Sequence, residues 1–155
     1  MACQSGPKEN VMATYGNGNP MNVVITDPET GEKIGEKTFY DNKQVHTDVL
    51  IKDNKRNGTC RSFYKDGKPF SLHTYELGVK NGPYQLWYEN GQIKIDGFYK
   101  DNKPSGVWKT YEQGGKLIKN ENSVLYFWNP KYIDKNYLAK NYGNISISIK
   151  SMRKK

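Results

Sequence analysis

The sequence predicts a mainly β protein, an elongated antiparallel sheet of stacked β-hairpins closed at its C-terminal end by a small strand-helix-strand cap. Three observations predict it. Residues 82–106 read as two strands folded back on each other, with Asn90-Gly91 as a two-residue turn that demands positive φ. That turn pairs Tyr88 with Ile93, Leu86 with Ile95 and Tyr84 with Gly97, which puts all six on one face with Tyr84 over the bare backbone of Gly97. Sliding the chain by 24 places then brings Phe39, Phe63, Trp87 and Tyr111 into register, with Tyr40, Tyr64 and Tyr88 beside them. Finally, Gly58, Gly82 and Gly106 recur at strand openings, while Gly67, Gly91 and Gly115 recur in hairpin turns; Ile34 and Lys43 hold those places in the first unit.

Composition agrees with a thin sheet. Seven Leu, ten Ile, eight Val and five Phe among 155 residues make a poor aliphatic supply for a thick core. Twelve Tyr and three Trp compensate, because such rings bury area while a polar tip reaches water. The net charge of +8 sits largely in turns such as Lys100-Asp101-Asn102-Lys103, where it solvates loops and favours anionic partners without identifying one. The chain has no apolar run of about 18 residues, the length a membrane-spanning helix needs.

The elements follow in order. Residues 1–20 read as a tether. Ala2-Cys3-Gln4-Ser5 resembles the junction at which bacterial lipoprotein precursors are cut, which makes Cys3 the expected lipid-bearing residue. Residues 4–20 have the composition of a linker. Residues 21–33 supply a short strand over 22–26 and a turn over 27–31. Residues 34–118 hold four hairpin units, each too marginal to stand alone and stabilised by its neighbours. Two connectors, 52–58 and 100–106, are nearly identical. Residues 119–155 form the cap: a strand at 123–128, a helix over 130–142 between Asn129-Pro130 and Gly143, a half-buried strand through Ile145, Ile147 and Ile149, and a basic tail.

Gly82-Pro83-Tyr84-Gln85-Leu86-Trp87-Tyr88-Glu89-Asn90-Gly91, echoed by residues 58–64 and 106–111, resembles the bacterial variant of the MORN repeat. The resemblance covers residues 34 to 118. It implies an architecture and no catalytic motif; members are often labelled antitoxins of toxin–antitoxin pairs, others are lipoproteins, and eukaryotic relatives are similar to membrane-associated scaffolds.

Chemistry has one local candidate, since an Asp66-Gly67 turn pairs Tyr64 with Pro69, Ser62 with Ser71 and Cys60 with His73. A cysteine facing a histidine is the minimum for an activated thiolate. The same positions one unit on are Tyr84 and Gly97, which are packing residues, so the pair reads as structure. Cysteine and histidine spacing fits no metal site, and every glycine has a turn or strand phase, so neither a metal, a cofactor nor catalytic residues are expected. The expected function is that of a non-enzymatic scaffold, held by a lipid on Cys3 in a bacterial envelope, the outer membrane favoured. It presents Phe39, Phe63, Trp87 and Tyr111 to another protein. The alternatives are a cytosolic antitoxin that binds a partner toxin and, less favoured, a binder of nucleic acid or anionic lipid.

Overall fold

The computed structural model describes residues 6–122, and over these the chain is one antiparallel meander. Its strands are β1 (Lys8–Thr14), β2 (Pro20–Thr26), β3 (Lys33–Phe39), β4 (Val45–Lys52), β5 (Lys55–Phe63), β6 (Pro69–Glu76), β7 (Val79–Trp87), β8 (Ile93–Lys100), β9 (Lys103–Tyr111) and β10 (Leu117–Asn122). Each strand pairs with the next, so the order in the sheet is the order in the chain. The stacked hairpins are as expected. The expected cap elements at 123–155 and Cys3 lie outside the described residues.

Both kinds of turn differ from the sequence reading. At Asn90-Gly91 only the glycine is left-handed (φ 84°). Gly91 N donates to Tyr88 O at 2.9 Å, and Tyr88 N donates to Gln92 O at 2.9 Å, which is a three-residue loop closed by a glycine bulge. A second irregularity, between Leu86 and Trp87, leaves Lys94 out of the ladder, so Ile93 pairs with Trp87 and not with Tyr88; the pairs Leu86–Ile95 and Tyr84–Gly97 stand as expected. Likewise Pro69 pairs with Phe63 and not with Tyr64, while Ser62–Ser71 and Cys60–His73 hold. The two-residue turns with positive φ at both central positions lie at the other ends of the strands, at Asp53-Asn54, Leu77-Gly78 and Asp101-Asn102.

Two rims result. The loop rim carries the three-residue loops after β1, β3, β5, β7 and β9, and the tip rim carries the turns after β2, β4, β6 and β8. Residues 8–14, expected within the tether, form β1, and Tyr15 and Gly18 close the same loop that Tyr88 and Gly91 close. It joins Lys8, Glu9 and Asn10 to an exposed Val11 and Met12, because an edge strand is held by backbone bonds and needs no apolar alternation. The hairpin pattern therefore starts one unit earlier than expected.

Opposite Leu50, Thr74 and Gly97, the partner strand loops out around Gly58, Gly82 and Gly106, all at positive φ. These bulges give the strand-opening glycines their reason. The largest buried side chain among the described residues is Trp108, 1% exposed, whose indole lies over Gly97: a Cβ there would sit 2.5 Å from Trp108 Cδ2. Trp108, not Tyr84, covers that glycine. Tyr84 packs tilted against the indole at 5.3 Å and Tyr99 meets it edge-to-face at 5.2 Å. Otherwise only Val23 and Val49 are buried apolar residues among those described, as expected of a single layer.

Candidate binding surface

Repetition every second strand turns a sequence period into rows of side chains. One face carries Glu36, Val49, Cys60, His73, Tyr84 and Gly97, each paired with the next. Two residues along on the same face run Thr38, Thr47, Ser62, Ser71, Leu86, Ile95 and Thr110. Thr38 and Thr47 share a hydrogen bond of 2.7 Å, and Ser62 and Ser71 form a similar pair. Cross-strand hydroxyl pairs of this kind lock register.

The opposite face carries the residues singled out from the period. Phe39, Phe63, Trp87 and Tyr111 end β3, β5, β7 and β9, adjacent in sequence to Thr38, Ser62, Leu86 and Thr110 and so pointing the other way. All four are half-buried. Strand spacing places successive members about 10 Å apart. Beside them runs a charged row, Lys37, Asp48, Arg61, Leu72, Gln85, Asp96 and Lys109, paired each with the next. Within it Gln85 Nε2 donates to Asp96 at 3.1 Å. A column of half-exposed rings beside alternating charge suits recognition of a protein surface, where aromatic anchors need a polar surround.

A second set was not visible from composition. Tyr15, Tyr40, Tyr64 and Tyr88 donate their hydroxyls to the carbonyls of Phe39, Phe63, Trp87 and Tyr111 at 2.7–2.9 Å. Asn17, Asn42 and Asn90 donate amides to the next loop at Asp41, Lys65 and Gln113. Each unit is thus stitched to the one after it, and the aromatic column is held at its backbone. The signal was present in the sequence as Tyr15 and Asn17-Gly18, 25 residues before Tyr40 and so one residue off the 24-residue period.

Cys60 and His73 are brought together as the sequence predicts, but their electrostatics oppose an activated thiolate. Burial pushes the Cys60 thiol up, against a lowering by Arg56. Burial, with Lys80 and Arg56 adding, brings His73 down to about 4. A neutral thiol faces a neutral imidazole, whereas nucleophilic cysteine chemistry needs the ion pair. The His73 ring packs edge-on against Tyr84 at 4.9 Å, and its Nδ1 is buried without a hydrogen-bond partner among the described residues. No group of three or more His, Cys, Asp or Glu among the described residues is placed to hold a metal ion.

Comparison with known proteins places the hairpins. No curated protein matches the chain. Among solved structures, the crystal structure of TarM is similar over 84% of this chain at 18% identity and a TM-score of 0.47; the chain spans only 24% of that protein's length. The family model of the MORN repeat variant matches residues 56–76 and 80–101, the β5–β6 and β7–β8 hairpins with their three-residue loops. These two adjacent hairpins are the part of the chain that matches the MORN repeat variant.

Proposed function

We propose that the chain is a non-enzymatic scaffold, tethered to a bacterial membrane through a lipid on Cys3, whose aromatic face binds another protein of the envelope. The observation that carries the binding half is the column of Phe39, Phe63, Trp87 and Tyr111, repeated on every second strand beside a charged row. A surface with that period fits an extended partner, which can meet the same contact several times. The tether half is supported by Ala2-Cys3 and by Gln4-Ser5-Gly6-Pro7, which separate Cys3 from β1. At about 3.5 Å per residue that spacer spans under about 20 Å, so the sheet stays close to the bilayer.

The paired change Phe63→Ala and Trp87→Ala tests the face. Circular dichroism unchanged, with loss of the protein that co-purifies with the native chain from membranes, is the expected result. Retained partner with the fold intact makes the column plain structure. Intact mass of the membrane-extracted chain tests the tether, with Cys3→Ser expected to move the protein to the soluble fraction. A cytosolic antitoxin would use the same face and stay soluble with Cys3 present.

A further inference from the structure

Three rows run along the face that carries the aromatic column. In the column each ring pairs across its hairpin with an aliphatic residue, Phe39 with Val45, Phe63 with Pro69, Trp87 with Ile93 and Tyr111 with Leu117. From β3 to β10 the column thus alternates flat rings with smaller apolar groups. Beside it the charged row continues onto β10 at Asn120, opposite Lys109. Toward the tip rim a third row pairs Gly35 with Leu50, Thr59 with Thr74, Pro83 with Phe98 and Val107 with Asn122.

Two features of this face have no answer within one copy. Leu50, Phe98, Val107 and Leu117 stand 42–55% exposed on it, whereas a sheet ordinarily buries its apolar side against a second layer. Asp48 lies opposite Arg61 and Asp96 opposite Lys109, yet none of the four joins an ion pair among the described residues.

We infer that this face packs on the same face of a second copy, as a two-fold dimer whose axis runs parallel to the strands between β6 and β7. Such an axis lays each row on itself and reverses its direction. β3 then faces β10 of the second copy, β4 faces β9, β5 faces β8 and β6 faces β7. In the charged row Asp48 meets Lys109 of the second copy, Arg61 meets Asp96 and Leu72 meets Gln85, each contact made twice. In the column Phe63 falls on Ile93, Trp87 on Pro69 and Tyr111 on Val45, so rings of one layer enter between rings of the other. In the third row Leu50 falls on Val107 and Phe98 on Thr59, which takes exposed apolar surface out of water.

Neighbouring registers fail on two rows at once. With the axis on β6, Lys37 meets Lys109 and Asp48 meets Asp96; with it on β7, Arg61 meets Lys109; in both, rings fall on rings. Charge complementarity therefore selects the register, while the column and the third row supply the buried area. The eight strands β3 to β10, over the five residues from Pro83 to Trp87, give a footprint of roughly 600 Å² in projection. Side-chain relief raises that toward the about 800 Å² per partner of a standard interface. The inference rests on the reading of this face as a protein-binding surface and names its partner.

The test is sedimentation equilibrium of the full chain as Cys3→Ser, with reductant present. The chain is expected to be a dimer that Arg61→Asp and Asp96→Arg each weaken about tenfold or more. An equimolar mixture of those two variants should recover the dimer, because in a mixed pair the two changed positions face each other. Circular dichroism checks folding, and Leu50→Lys provides a second weakened variant outside the charged row. A monomeric chain, single variants that remain dimeric, or a mixture as weak as its components overturns the inference. A monomer whose Phe63→Ala and Trp87→Ala form still loses a different membrane protein overturns this partner and leaves the binding surface standing. A dimer indifferent to the charge variants and to that paired change overturns both.

Discussion

Trp108 over Gly97 is the tightest fit at any glycine among the described residues. A methyl at 97 meets the indole at 2.5–2.7 Å, and Trp108 is clamped by Tyr84 and Tyr99, so it cannot withdraw without breaking both ring contacts. Gly97→Ala is expected to cost about 3 kcal/mol in urea unfolding, the scale of core overpacking. His73 makes a pH prediction. Its folded-state value of about 4 lies below the ordinary 6.5, so the neutral form is the one that folds best. As pH falls through 6.5 the unfolded chain takes up a proton that the folded chain refuses, and stability declines until about 4, where the folded ring is protonated too. Solvent screening at a ring only partly buried limits the loss to about 1–2 kcal/mol. Unfolding midpoints at pH 7 and pH 4.5 should therefore differ more in the native chain than in His73→Phe. Equal differences would remove His73 as the cause.

At the scale of the elements, the two turn types divide the work. The three-residue loops stitch unit to unit through Tyr hydroxyls, and Tyr64→Phe leaves Trp87 O without its 2.8 Å donor, an expected loss of about 1 kcal/mol by chemical denaturation. Lys43 occupies at φ 69° the place that glycine fills in the other loops, so Lys43→Gly should stabilise by about 0.5–1 kcal/mol. Leu77→Asn should stabilise by a similar amount at φ 46°. Legibility was mixed at this scale. Alternation located the Leu86–Ile95, Ser62–Ser71 and Cys60–His73 pairs, yet missed Trp87–Ile93, because a bulge of one residue changes partners without changing composition. β1 was read as linker for a related reason: Lys8-Glu9-Asn10 is polar, and its hold is the ladder to β2.

Across the whole molecule each strand touches its sequence neighbours, and the sheet has few buried side chains, so stability is close to a sum of nearest-neighbour terms. Amide exchange should report this. Gly97→Ala should strip protection from β7–β9 while β2–β4 keep theirs; uniform loss along the sheet would show all-or-none unfolding instead. The sequence alone determined the 24-residue phase, the hairpin stacking, the aromatic column and the facing of Cys60 and His73, since each depends on spacing within a unit and its immediate neighbour. The tertiary structure decided that Trp108 lies over Gly97, that each tyrosine of the loops bonds the unit after its own, and that Leu77 takes a left-handed place in its turn. Those outcomes depend on bulges and turn hands, which set where atoms of separate units meet. Bulges and loops show in the sequence only as glycines at fixed phases, which mark their places and not their geometry, yet together they decide which rim and which face every later side chain reaches.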